Sequence, residues 1–390
     1  MQRKYFVLIV TTLSFVAFDL VLFSYPPISS FVSNDLHLSY TQSGLITSVF
    51  ALAYAMMQVP GGYLADRFGG SRTLMVSLIL LGFSPFLFVV GNSYAFALIS
   101  RVLAGVACGV IFPSAVRVLS SWFRENELDL AMSVFGSGMG VAQIGASAFL
   151  PLLISGTDWS PPLIFTALFA LVVGALAVLP ASWSSLGRSS IKVKVDVRGL
   201  FTRNMFALML PNFAALAIVL GVFAWTPIFL TSNLHLSTEI AGTILASIGL
   251  TNMVGCYAGA FASRRLGKRL VIAFSMVSLS IFCFLLGTAA SGLEAVIWIS
   301  GVGFSAMLYF AADFALIPYA SKQGVSVAGM TFGVFNTLSN IGGFVSPILL
   351  GIVLDYTGDF ALCFATLGLV AIFGLVGAII LRPDHLVFNQ

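Results

Sequence analysis

Four charged side chains fall within long apolar runs of this sequence: Asp19 and Arg101, and, towards the inner ends of their runs, Arg117 and Asp313. A charge among apolar side chains is expensive unless paired, hydrated or neutralised, so each is a candidate for chemistry with a structural alternative beside it. Asp19 lies about 21 Å along its run by helical rise, which is mid-depth for a membrane-crossing helix. A carboxyl there can load and release a proton as its exposure changes; the alternative is a fixed pair or a hydrogen-bonded structural acid. Asp313 is a second coupling candidate, or a helix cap, or a partner for Lys322. Arg117 can meet an anion, or anchor its helix at the interface beside Trp122. Arg101, about 24 Å away on the same run, can act in packing or snorkel to the interface.

Uncharged polar groups offer hydrogen bonds without the cost of a charge. Asn336 and Asn340 are four apart and share one helix face, and Gln143 and Asn252 fall at similar depth; each can meet a solute or a neighbouring helix. The three histidines, His37, His235 and His385, fall in connections or the tail. No nucleophile and base pair is evident, so an enzyme is not expected, nor a cofactor. Cys108, Cys256, Cys283 and Cys363 lie in apolar runs without metal-like spacing and read as small buried hydrophobes.

The elements that must position these residues follow from composition. The chain of 390 residues is 59% apolar and 8% charged, against roughly a quarter charged in a soluble domain. That excludes a soluble globular class. Apolar segments run roughly 5 to 32, 41 to 64, 72 to 92, 94 to 121, 128 to 155 and 161 to 180, then 205 to 232, 238 to 263, 269 to 290, 294 to 319, 326 to 354 and 359 to 381. Each is long enough to cross a bilayer, so the expected fold is an all-α membrane protein of twelve spans. The first run resembles a signal sequence after Arg3 and Lys4, but it continues through Pro26 and Pro27 without a clear small-residue cleavage site, and is read as a retained helix.

With a cytoplasmic N-terminus, 17 of the 18 basic residues fall in the inner connections or at an inner helix end, and Arg101 alone lies towards the outside. This is the asymmetry that the positive-inside rule describes, and it places both termini in the cytoplasm. The polar stretch 181–204, with Arg188, Lys192, Lys194, Arg198 and Arg203, divides the chain into an N-terminal bundle, 1–180, and a C-terminal bundle, 205–390.

An internal repeat supports that division. Pro27-Ile28, Ser33-Asn34 and Leu36-His37-Leu38-Ser39 recur as Pro227-Ile228, Ser232-Asn233 and Leu234-His235-Leu236-Ser237. Gly62 to Arg67 followed by Arg72 is matched by Gly259 to Arg264 followed by Arg269, an offset of 197. Pro151-Leu-Leu-Ile and Pro347-Ile-Leu-Leu extend it. Two parallel six-helix repeats with a site near the midplane are the organisation of a transporter that rocks between two openings.

The segment Gly61-Gly62-Tyr63-Leu64-Ala65-Asp66-Arg67-Phe68-Gly69-Gly70-Ser71-Arg72 resembles the signature loop of the major facilitator superfamily, and Arg101 followed by Gly105 and Gly109 resembles a second motif of that family. The resemblance makes Gly62, Asp66, Arg67, Gly69, Arg72 and Arg101 conformational residues, the loop acting as a latch between the halves, with Glu125, Glu127 and Asp129 as available acids. Asp19, Leu38-Ser39 to Gly44, Tyr54, Pro60-Gly61, and Phe112-Pro113 leading to Arg117-Val-Leu-Ser-Ser-Trp122-Phe123 are similar to the anion:cation symporter branch. So are Gly333-Val-Phe-Asn336 through Asn340-Ile-Gly-Gly343, Pro347, Gly351 and Thr357-Gly358. Leu20 stands where that branch usually has arginine, and Cys108 where it often has an acid.

The resemblance implies a monomeric carrier in the cell membrane that moves a small solute, an organic anion, with a proton or sodium ion by alternating access. Its partners are the solute, the coupling ion and lipid, not nucleic acid. Proton-coupled export of drugs or metabolites and a non-transporting solute receptor are the alternatives. Exporters usually carry a proline in a glycine-rich motif on the fifth span; here Gly136, Gly138, Gly140 and Gly145 surround Ala142-Gln143 without one.

Overall fold

The computed structural model describes residues 2–123, 125–179, 199, 201–314, 316–317, 320 and 328–381. The stretch expected to link the halves lies outside the described residues except at Gly199 and from Phe201 onward, which leaves out Arg188, Lys192, Lys194 and Arg198. Arg124, Lys322, Arg382 and His385 also lie outside them, as do the side chains of Glu125 and Asp129.

The first half comprises α1 (Gln2–Phe23), a 3-10 turn at Pro26–Ile28, α2 (Ser29–Asp35), α3 (Tyr40–Phe68), α4 (Gly70–Gly91), α5 (Tyr94–Trp122), α6 (Glu125–Ile144) and α7 (Ser160–Leu176). The second comprises α8 (Arg203–Ser232), α9 (Thr238–Leu266), α10 (Lys268–Gly287), α11 (Gly292–Leu308), α12 (Phe310–Phe314), α13 (Ala328–Thr357) and α14 (Phe360–Ile380). Eleven helical segments of the described residues are long and apolar enough to cross a membrane, the first running from Arg3 to Asp35, and the shorter apolar α7 supplies the twelfth. The protein is therefore a multi-pass membrane protein of two pseudo-symmetric six-helix bundles. Its perimeter carries large exposed apolar side chains, among them Phe83, Leu270 and Phe274, a surface that lipid rather than water can cover.

Local chemistry sets the helix ends. Ser39 caps α3 and forms a reciprocal capping box with Gln42, while Ser237 accepts from the Ile240 amide at the start of α9. Pro26 and Pro27 cannot donate backbone hydrogen bonds, and the first span divides into α1 and α2 around them.

The repeat is visible in the backbone. His37 and His235 have φ of 51° and 53°, and Gly69 and Gly267 have φ of 91° and 86°. All four lie in the left-handed range that L side chains seldom adopt, and both pairs are offset by 198 positions. This corrects the offset of 197 read from the glycine-arginine segment: Gly61, not Gly62, is the equivalent of Gly259. Side-chain similarity drew the alignment to the arginines, whereas the turn glycines fix the geometry.

The packing keeps this register at one crossing, where Gly105 meets the Phe50 carbonyl as Gly303 meets that of Ile248, and slips by one residue at the other, where Gly61 lies against the Gly109 carbonyl and Gly259 against that of Leu308. Small residues at these crossings let α3 approach α5, and α9 approach α11, closely enough for dispersion contacts between backbones. One apolar cluster centred on the second half also takes in Val16, Leu20, Phe23, Ala142 and Ala146 of the first. The two bundles thus share packed surface.

Candidate functional site

Asp19 projects from the last turns of α1, midway along the first span Arg3–Asp35, and is 2% exposed, with no hydrogen-bond partner for Oδ2. Tyr54 of α3 and Cys108 of α5 lie within electrostatic reach of it. Around this acid is an aromatic wall: Phe18 and Phe50 both lie beside Tyr54, with ring centroids 5.4 and 6.5 Å from it. Leu20, one residue on, is buried and joins the shared apolar cluster.

Arg101 is 3% exposed. Its Nη1 donates to the Val21 carbonyl at 2.7 Å and Nη2 to Ser24 Oγ at 3.3 Å, and the guanidinium lies 5.3 Å from the centre of the Tyr25 ring. The Val21 carbonyl at the end of α1 and the Ser24 hydroxyl thus hold this cation among protein groups. Arg101 binds α5 to the break in the first span and does not touch the glycine-arginine loop.

In that loop, Asp66 and Arg117 form an ion pair at 2.9 Å. Arg117 is thus occupied by a carboxylate within the protein, and the pair ties α3 to α5 inside the first half. Arg67 donates to Tyr63 Oη at 3.2 Å and lies over the Phe68 ring; Arg72 is exposed. Glu127 pairs with Lys4 of α1. Gly69 supplies the left-handed turn between α3 and α4, and Gly62 faces the Pro113 ring.

Gln143 and Asn252 meet across the halves: Asn252 Nδ2 donates to Gln143 Oε1 at 3.0 Å. Both are buried, and each keeps one unpartnered polar atom, Gln143 Nε2 and Asn252 Oδ1. Gly140 and Gly249 allow this close approach of α6 and α9, Gly249 facing the Gly140 carbonyl. Asn340 donates Nδ2 to the carbonyl of Asn336 at 2.7 Å, a bond within α13. Asp313 in α12 is completely buried, with neither carboxylate oxygen bonded among the described residues.

A further contact between the halves is one that the sequence does not reveal. Asp355 at the end of α13 accepts the backbone N–H groups of Tyr40 and Thr41, both at 2.8 Å, and so caps α3 of the other half. Beside it Ser48 Oγ accepts the Ile348 N–H at 3.2 Å, and within the second half Trp225 Nε1 donates to the Pro347 carbonyl at 3.1 Å. The Asp355 and Ser48 bonds join the halves at the face opposite the glycine-arginine loop. An aspartate at a helix end is an unremarkable sequence feature, and its partners are over 300 residues away.

Two bundles meeting along paired seams, with buried polar groups at mid-depth, define a multi-pass solute carrier. The sequence profile of the Major Facilitator Superfamily matches residues 7–347, and the chain belongs to that family of transporters, which are not enzymes. It is 24% identical to the nitrite extrusion protein of Bacillus subtilis (strain 168), covering 96% of this chain and 94% of that one. It is 23% identical to the probable galactarate/D-glucarate transporter GudP of Escherichia coli (strain K12), covering 90% and 87%. Among solved structures, a bacterial homologue of the human lysosomal transporter Spinster, in an inward-facing and occupied conformation, matches with a TM-score of 0.76 at 16% identity over 97% of this chain and 95% of that one.

Proposed function

We propose that the protein carries a small organic anion of the sugar-acid class by symport with a proton, through alternating access, as a monomer in the cell membrane with both termini cytoplasmic. The observation that carries the coupling is Asp19: a carboxyl at mid-depth, almost wholly buried, with an unpartnered oxygen. An ionised carboxylate is costly there, so it takes a proton when enclosed and releases it when its conformation wets the site. The anion is read mainly by neutral donors. Gln143 and Asn252 reach the seam with a free donor and a free acceptor, and Asn336 lies on α13 of the second half.

Arg117 has a different part. At the mouth of the first half it alternates between Asp66 and an entering carboxylate, which links anion arrival to release of the loop. The names of the sugar-acid and nitrite relatives support an anionic solute. The nitrite relative is named for extrusion, and the inner site has Leu20 and Cys108 where a symporter of organic anions would place charge; proton-coupled export is the second reading.

Radiolabelled D-glucarate uptake into proteoliposomes under an imposed pH gradient, inside alkaline, tests both. Uptake that follows the gradient and loses that dependence in Asp19→Asn supports symport. Uptake indifferent to the gradient sinks the coupling, and accumulation driven only by the opposite gradient assigns export.

A further inference from the structure

The tenth span, Gly292–Phe314, is irregular at one residue near its inner end. Its helix α11 stops at Leu308, Tyr309 is a turn, and α12 resumes over Phe310–Phe314. Asp313 therefore lies towards the inner end of the span, its N–H bonded to the Tyr309 carbonyl at 2.9 Å. Asp313 lies in the resumed helix with 0% exposure and two oxygens that accept no hydrogen bond among the described residues. Beside it, the Tyr309 hydroxyl donates to Asn212 Oδ1 at 2.6 Å, and Asn212 Nδ2 has no partner. Phe310 and Phe314 stack at 4.0 Å, and Phe314 meets Phe335 at 5.6 Å, walling this face with rings.

We infer that Asp313, with Tyr309 and Asn212, is a second proton-carrying site, housed in the C-terminal half and separate from Asp19. It deepens the symport reading and rests on it: one cycle moves two protons rather than one. An ionised carboxylate without partners in such a place costs far more than a neutral acid, so Asp313 is protonated in this conformation. Neither Asp313 oxygen has a hydrogen-bond partner among the described residues, so no bond there fixes it in one protonation state. In the step, one O–H bond forms at a carboxylate oxygen as a proton arrives from water on one face. It breaks when the alternate conformation wets the site, the proton leaving to water on the other face.

The neighbours favour a proton over a metal cation. Among the described residues, Tyr309 is a titratable side chain within electrostatic reach of Asp313, and Asn212 of α8 accepts a hydrogen bond from the Tyr309 hydroxyl. The charged groups of α9 and α10 near that end are Arg264, Arg265, Lys268 and Arg269. Arg269 is spent on the carbonyls of Ala378 and Ile379, Arg265 lies over the Phe261 ring, and none of the four donates to an Asp313 oxygen. From α13, Phe335 packs against the neighbouring Phe314 ring. A hard cation needs several oxygen ligands, and this cluster offers one carboxyl, one amide oxygen already bonded and one phenol.

Infrared difference titration of the purified full-length protein in lipid tests the assignment without a known solute. Two carbonyl-stretch bands of protonated carboxyls are expected to bleach as pH rises. Asp313→Asn removes one and leaves the other, and Asp19→Asn does the reverse. Should Asp313→Asn fail to fold, Asp313→Glu and Tyr309→Phe each shift that band without deleting it. The inference is overturned if Asp313→Asn removes no band, if its band never bleaches, or if sodium chloride bleaches it at constant pH where potassium chloride does not. Loss of gradient-driven glucarate uptake is scored separately: intact Asp313 titration with uptake that ignores pH sinks the symport reading and leaves this site standing as a proton site.

Discussion

The two halves keep the same scaffold and differ in their buried chemistry. Equivalent glycines, Gly69 and Gly267, make the same left-handed turn, and equivalent histidines, His37 and His235, share a left-handed conformation that few L residues tolerate. Yet the equivalent of Asp19 on α8 is Val219, at the offset of 200 shown by Pro27 and Pro227, and the equivalent of Asp313 on α5 is Ala115, at the offset of 198. Each half therefore carries a membrane-buried acid, on a different span. Duplication preserved what the backbone requires, such as close crossings and turns, because a change there disrupts the fold. Buried polar groups are costly wherever they stand, so each persists only where it does something, and the two halves need not do the same thing.

The largest effect that would break this comparison is at Asp19. Asp19→Asn is expected to abolish the pH-gradient dependence of uptake, while Val219→Asn at the equivalent site leaves it intact; equal effects from both would mean that the halves are not chemically distinct. Next come the shared crossings. Gly61→Leu and Gly259→Leu should each cost about 1–3 kcal/mol or more, by forcing a side chain into a backbone carbonyl. Thermal unfolding temperature in detergent should fall for both, and a tolerant Gly259→Leu would show that the two crossings are not equivalent.

A smaller effect is expected at the seam opposite the loop. Asp355→Ala removes two charge-assisted hydrogen bonds to the start of α3, and loss of such bonds costs about 1–3 kcal/mol. That corresponds to roughly a 5- to 150-fold gain in the open population on that face, read as modification of a cysteine placed at Tyr40. Unchanged labelling would remove Asp355 from the closing contact. Asp66→Asn should change stability by less than about 1 kcal/mol, because the Arg117 pair is partly exposed; its signature is in transport rate rather than in unfolding.

The smallest effect is at the connection before α7. Ser160, through its hydroxyl and backbone N–H, holds the Asp158 carboxyl below its ordinary value of 3.8. A depressed folded-state value means that this cap stabilises above the ordinary carboxylate range and is lost as pH falls through the depressed value. Hydrogen exchange at the start of α7 should rise at acid pH in the wild type and be already raised at neutral pH in Asp158→Ala. Asp359, which caps α14 through the amides of Ala361 and Leu362, is the control in the other half.

Much of the fold was legible because a bilayer leaves few choices. Spans of twenty apolar residues, basic residues in alternate connections and a half-length repeat are one-dimensional signals, and the structure has the helices where they predict them. The repeat register was one residue out at the glycine-arginine segment, since arginines are free to drift along a loop and the turn glycines are not. Of the candidate site, Asp19 and Asp313 stood out as charges in apolar runs. Their isolation was not visible, because partners come from other helices. Arg117 reads as a free cation until the fold sets Asp66 beside it, and Gln143 and Asn252 are two ordinary amides until α6 and α9 bring them together.

The sequence by itself determined the membrane class, the twelve spans, the two halves and which acids would be costly. Those follow from local composition and from the energetics of charge in lipid. Only the tertiary structure decided which charges are neutralised and which stand alone, that Asp355 of one half caps a helix of the other, and that Arg101 faces inward. Such facts depend on contacts between residues tens to hundreds of positions apart, and no periodicity along the chain records them.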